Sequence, residues 1–254
     1  MRGPPLRLRS TTLKRLSTRL HELRRSGSDQ KKDLLGRTAV RKADKANPEY
    51  VARMARRAAV LVPLCVMGGE LGVLFTKRSA TRVGSHKGHV SFPGGHIEVG
   101  ETARDAALRE YDEEVGAGLS AVVWRGATVA LGELAPVRAV TGTMVYPVVG
   151  ILGQTGGAAH SAKGVADMAV VLTTEGALAP PCPEVDLVFG VTLRDLRDPI
   201  HRTEDDLGYR GSTVPRFQIP GLPPIWGLTG FILNDLLDAF DTLDVDIDTH
   251  IRIN

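Results

Sequence analysis

Three glutamates, Glu110, Glu113 and Glu114, sit at spacings of three and four residues in the stretch from Gly95 to Ala117. On a helix that spacing puts them on one face, within a single turn. Three carboxylates so close together repel one another. Such a cluster is either a solvated acidic face or a site for a hard divalent cation, which takes oxygen ligands and cancels the repulsion. The residues around the cluster favour the cation. Arg109, beside Glu110, has the fork geometry to orient a carboxylate. Gly95, with no side chain, lets a backbone carbonyl approach the same ion. A hard cation such as Mg²⁺ would take its oxygen ligands from Glu110, Glu113, Glu114 and the Gly95 carbonyl.

A helix must hold these groups, and its signals are present. Thr102 followed by Asp105 reads as an N-terminal cap, and Gly116 stands where a left-handed cap would end the helix. Between them Ala107, Leu108, Tyr111 and Val115 form an apolar stripe for the core. Upstream, residues 58–67 and 71–78 read as two strands joined by a Gly-Gly turn. Between these strands and the acidic cluster lies a loop carrying Arg78, Arg82, His86 and Lys87 with Gly84 and Gly88, a composition suited to binding phosphate. It runs into the turn Phe92-Pro93-Gly94-Gly95.

The whole pattern is Gly, five residues, Glu, seven residues, Arg-Glu, an apolar residue, any residue, Glu-Glu, any residue, Gly, an apolar residue. It resembles the Nudix box, with Tyr111 and Ala117 at the apolar positions. The resemblance implies an α+β chain with the Nudix fold, an α/β/α sandwich around a mixed sheet. It also implies an enzyme that cuts the pyrophosphate of nucleoside diphosphate derivatives with Mg²⁺ or Mn²⁺. The implied catalytic residues are Glu101, Arg109, Glu110, Glu113 and Glu114, and the pattern leaves open which glutamate accepts the proton of water.

A narrower resemblance covers roughly residues 58–240. Leu74-Phe75-Thr76-Lys77-Arg78-Ser79, then Gly88 and Phe92-Pro93-Gly94-Gly95, is similar to the signature upstream of the box in coenzyme A diphosphatases. Arg82 comes one residue early and Gly88 one late, a spacing closer to the mitochondrial animal branch. Leu131-Gly132-Glu133-Leu134-Ala135-Pro136, residues 145–150, Glu184-Val185-Asp186 and Trp226-Gly227-Leu228-Thr229 also correspond. This implies coenzyme A or an acyl-CoA as the small-molecule substrate, with Arg78, Arg82 and Lys87 on its phosphates. The alternatives are a Nudix pyrophosphatase of ADP-ribose, NADH or an oxidised nucleotide, and a Nudix module that binds without catalysis.

The charge is unevenly divided. Residues 1–46 hold 14 Lys or Arg against 4 Asp or Glu, leaving 18 against 25 in residues 47–254. The body is acidic, so nucleic acid is not an expected partner. The Arg-rich, acid-poor opening, with Leu13, Leu16, Leu20 and Leu23 at helical spacing, reads as a mitochondrial or plastid transit peptide, the mitochondrion being the expected location and plastid or cytoplasm the alternatives. Expected boundaries are a basic extension over 1–46, a catalytic domain over 47–243 and an acidic tail over 244–254. A short helix is expected from Asn47-Pro48 to Arg57, a strand within the Gly/Ala/Pro-rich 151–183, and an amphipathic helix over 228–243. No apolar run is long enough to span a membrane, and Cys65 and Cys182 lack metal-site spacing. Nothing in the sequence sets an oligomeric state.

Overall fold

The computed structural model describes residues 6–8, 10–27, 32–33, 55–67, 70–81, 88–116, 129–152, 182–206, 213–242 and 251–253. The centre is strand β3 (Arg57–Met67), whose neighbours make the sheet mixed. It pairs in parallel with β9 (Met144–Ile151) from Arg57↔Met144 to Leu64↔Ile151, and antiparallel with β4 (Glu70–Arg78) and β6 (Gly94–His96). Strand β10 (Val185–Thr192) extends the sheet on β4, which also carries the short β5 (Val90–Ser91). On the other side β7 (Val129–Glu133) and β8 (Val137–Arg138) pair with β9, and β2 (Lys32–Asp33) lies parallel to β8.

Alternation along the strands sends side chains to two separate apolar layers. Ala59, Leu61, Cys65 and Leu74 pack on helix α2 (Ala103–Tyr111) through Ala106, Ala107 and Tyr111. Val62, Leu64, Val73 and Phe75 pack on the opposite side, where Leu16 and Leu20 of α1 (Ser10–Gly27) meet Ile232, Leu233, Leu236 and Leu237 of α4 (Gly227–Asp241). Phe75 stacks between Phe92 and Phe189, with ring centroids 5.1 and 5.6 Å away. The layering is the α/β/α sandwich expected from sequence. A short helix α3 (Leu193–Arg197) and the hairpin β11 (Arg202–Asp206) and β12 (Thr213–Phe217) complete the second layer. Leu6–Leu8 (β1) pairs antiparallel with Ile251–Ile253 (β13).

The leucine stripe read as part of a targeting segment lies inside this fold. Leu16 and Leu20 are buried. Ser17 donates to the Leu131 carbonyl at 2.6 Å, and Arg24 pairs with Glu133 at 3.0 Å. Gly132 permits the approach, since a Cβ there would lie 2.9 Å from Leu20 Cβ. Leu20→Ala is therefore expected to cost about 3 kcal/mol, seen as a melting temperature lower by about 6–12 °C in calorimetry. A shift within 2 °C would mean that α1 contributes nothing to the core.

Two expected boundaries differ. Arg57 opens β3 rather than closing a helix, and α4 spans 227–241. Residues 55 and 56 are not helical either, and residues 47–54 of that expected helix, the part of 151–183 expected to hold a strand and most of the acidic tail lie outside the described residues.

Candidate active site

Helix α2 begins as its sequence predicts. Thr102, in extended conformation, accepts from the Asp105 amide at 3.2 Å and donates to its carboxylate at 2.6 Å. Its end departs from expectation. The α-helix stops at Tyr111 and the chain continues as a π-helical turn, Asp112–Gly116, so Gly116 does not terminate an α-helix. Single π turns are rare and often mark functional sites. Here the turn carries Glu113 and Glu114 and separates them: Glu113 is exposed and Glu114 is buried.

Arg109 organises the first part of the site. Its Nε lies 2.9 Å from Glu101 Oε1 and its Nη2 3.1 Å from Glu101 Oε2, a two-pronged pair. Nη1 donates to Glu110 Oε1 at 3.0 Å and reaches Glu113 Oε1 at 3.4 Å, and Nη2 also donates to the His96 carbonyl. The Arg109 bond holds the Glu101 carboxyl below its ordinary range, helped by the Glu98 amide. The guanidinium is in turn held firmly charged by Glu101 and Glu110. Gly95 closes this corner. A Cβ there would stand 2.3 Å from Glu110 Oε1 and 2.6 Å from Oε2, so only glycine leaves room for the carboxylate against the backbone.

Glu114 forms the second part. Burial pushes its carboxyl up to about 7, against the lowering pull of Arg78 and the Gly94 amide, while Glu110 and Glu184 push it further up. Arg78 Nη1 lies 3.8 Å from Glu114 Oε1, and Arg78 Nη2 lies 3.8 Å from Glu184 Oε2. Arg78, expected on substrate phosphate, thus also stands between two carboxylates. Glu184 and Asp186 were the residues whose role the sequence did not disclose. The Glu184 carbonyl accepts from the Ser79 amide at 2.8 Å, and Asp186 accepts from the Ala80 amide at 3.0 Å, so the start of β10 clamps the start of the basic loop. Their signal was a pair of acids two residues apart at the head of an apolar run. Arg82 and Lys87 lie outside the described residues.

Among the described residues no three His, Cys, Asp or Glu side chains encircle a common point. Arg109 takes Glu110 and Glu113, and Arg78 lies against Glu114. The donor set nevertheless fits a hard cation: carboxylate oxygens with a raised proton affinity at Glu114, and a glycine backbone open to Glu110. No helix among the described residues is long and apolar enough to cross a membrane.

Tyr111, at an apolar position of the box, carries a separate cost. It is buried beside Cys65, and its hydroxyl finds no partner among the described residues. The same burial pushes the Cys65 thiol up to about 12. Removing an unpaired buried hydroxyl relieves its desolvation, so Tyr111→Phe is expected to stabilise by about 1 kcal/mol. In a thermal melt that is a rise of about 2–4 °C; a fall would show that the hydroxyl is bonded.

The chain was compared with known proteins. The NUDIX domain family matches residues 55–142. The mouse (Mus musculus) mitochondrial coenzyme A diphosphatase NUDT8 is 33% identical over 180 residues, which is 69% of this chain and 73% of that one. The uncharacterized Nudix hydrolase NudL of Escherichia coli K12 is 45% identical over 98 residues, 38% of this chain and 47% of its own length. Among solved structures, a MutT/nudix family protein from Enterococcus faecalis overlaps with a TM-score of 0.41 at 14% identity, covering 74% of this chain and 61% of that one. With the box held at the end of α2 and identity to the mouse enzyme across most of both chains, this chain belongs to the Nudix hydrolase family, enzymes that cleave the pyrophosphate of nucleoside diphosphate derivatives.

Proposed function

We propose that the chain hydrolyses the pyrophosphate bond of coenzyme A and CoA thioesters, giving adenosine 3′,5′-bisphosphate and (acyl-)4′-phosphopantetheine. The observation that carries this reading is the 33% identity to a mouse coenzyme A diphosphatase over 180 residues, which runs well beyond the box. The upstream run Leu74 to Ser79 and the Glu184-Val185-Asp186 segment, joined in space through Ser79 and Ala80, support it. Glu110, Glu113, Glu114 and the Gly95 carbonyl would hold Mg²⁺ or Mn²⁺, which when bound neutralises the pyrophosphate and makes water easier to ionise.

The chain's own residues do the rest. Glu101 fixes Arg109, and Arg109 fixes the Glu110 carboxylate against Gly95. A carboxylate of this cluster takes the proton of the attacking water. Arg78, with Arg82 and Lys87 following it, supplies positive charge to the substrate phosphates. A mitochondrial location follows the name of the mouse relative and the Arg-rich opening. Because α1 packs into the core, we propose that residues from Ser10 onward stay with the folded enzyme.

The test is direct. Full-length protein with Mg²⁺ or Mn²⁺ is offered CoA, acetyl-CoA, ADP-ribose, NADH and 8-oxo-dGTP separately, with products identified by mass spectrometry. Adenosine 3′,5′-bisphosphate from CoA, lost in Glu114→Gln, is the expected result. Turnover of ADP-ribose, NADH or 8-oxo-dGTP alone would discard the CoA assignment.

A further inference from the structure

Trp226 is the one large aromatic side chain of the described residues left substantially exposed, at 36%. It is nonetheless fixed in place. Its neighbour Ile225 is fully buried and exchanges two backbone bonds with Phe217, at 2.8 and 2.9 Å. The Trp226 carbonyl accepts from Gly230 at 3.3 Å in the first turn of α4. Thr229, in the same turn, donates to the Val90 carbonyl at 3.0 Å, which ties the pedestal to β5. The residue before Val90 is His89, and its imidazole packs on the indole with centroids 4.9 Å apart at 54°. His89 is also the backbone partner of Arg78: Arg78 N donates to the His89 carbonyl at 3.0 Å, and Gly88 N donates to the Arg78 carbonyl at 3.1 Å. The Arg78 guanidinium in turn lies 3.8 Å from Glu114.

A rigid indole backed by a second ring is thus joined by one backbone pairing to the arginine beside the catalytic cluster. About a third of Trp226 stays exposed, where a core position would bury it. The phosphate proposed for Arg78 and a planar ring at Trp226 together describe a nucleotide, whereas a pantetheine or acyl arm has no π face to offer. We infer that Trp226, backed by His89, is the stacking platform for the purine base of the substrate. This rests on the chain being a nucleotide pyrophosphatase, and it names the half of the substrate that this side of the site recognises.

Stacking of a base on an aromatic side chain sets the scale: Trp226→Ala is expected to weaken adenine-nucleotide binding by roughly 5- to 150-fold. The loss should fall on KM rather than kcat, with Trp226→Phe recovering most of it. A readout independent of turnover comes from the two tryptophans of the chain. In a Trp124→Phe protein only Trp226 emits, and titration with adenosine 3′,5′-bisphosphate should quench it saturably, while 4′-phosphopantetheine and inorganic pyrophosphate should not. If that variant fails to fold, the quench of the wild-type protein minus that of Trp226→Phe gives the same quantity. No quench, or quench by 4′-phosphopantetheine instead, overturns the platform even if CoA is cleaved. Quench by ADP with no turnover of CoA keeps the platform and removes the CoA reading. An equal fall of kcat and melting temperature in Trp226→Ala, with nucleotide affinity unchanged, would reduce Trp226 to a structural residue.

Discussion

Glu114→Gln is expected to lower turnover by about 10³-fold while making the metal-free protein more stable at pH 8. Both effects come from one buried carboxyl. Its affinity for a proton is raised from 4.5 to about 7 in the fold, chiefly by burial. A carboxyl raised in this way binds its proton more tightly folded than unfolded, so it favours the fold at low pH. Its contribution is lost as pH climbs from about 4.5, and above about 7 the full penalty remains. The displacement corresponds to about 3 kcal/mol, at about 1.4 kcal/mol for each tenfold change in proton affinity. In chelator, the wild-type protein should therefore gain stability as pH falls from 8 toward 5. Glu114→Gln, carrying no charge to bury, should lack this component and melt about 6–12 °C above wild type at pH 8. Thermal melts at pH 5, 7 and 8 test this. Equal melting temperatures for the two proteins at pH 8 would show that the carboxyl is not penalised by its surroundings.

Gly95→Ala separates activity from folding in the other direction. The added methyl would meet the Glu110 carboxylate at 2.3 to 2.6 Å, too close for either group to stay. Glu110 is the end of a flexible side chain, so it yields, losing the 3.0 Å bond from Arg109. Displacing a reacting group by about 1 Å costs on the order of 10²-fold in rate. Turnover is expected to fall by about that factor with a melting temperature within about 2 °C of wild type. Steady-state kinetics beside calorimetry decide it: unchanged turnover would mean that the placement of Glu110 against Gly95 is immaterial.

The parts of this arrangement set by local rules were legible beforehand. Thr102 and Asp105 cap α2 as their spacing says, and the runs 58–67 and 71–78 are strands as their composition says. The fixed spacing from Gly95 to Gly116 identified the chemistry. What stayed hidden depended on tertiary contacts. Spacings of three and four put Glu110, Glu113 and Glu114 on one face, but the π turn that buries Glu114 and exposes Glu113 is chosen by how the chain packs beyond Tyr111. The leucine stripe of α1 looks the same whether it meets a transport receptor or the protein's own β7. That Arg78 also stands between Glu114 and Glu184 was hidden because both carboxylates are distant from it in sequence.

The sheet divides the interior into unequal halves, and the division has a consequence for motion. Among the described residues the layer under α2 holds far fewer buried side chains than the one shared by α1 and α4. Helix α2 is nine residues long and gives way to a π turn, whereas α4 runs for 15. Amide hydrogen exchange should therefore be staged: 103–116 opens first and exchanges while α4 and β3 remain protected. Under the proposed metal-dependent reaction, Mn²⁺ should slow exchange in that segment well before it changes the slowest amides, tightening α2 while the rest of the molecule stays as it was.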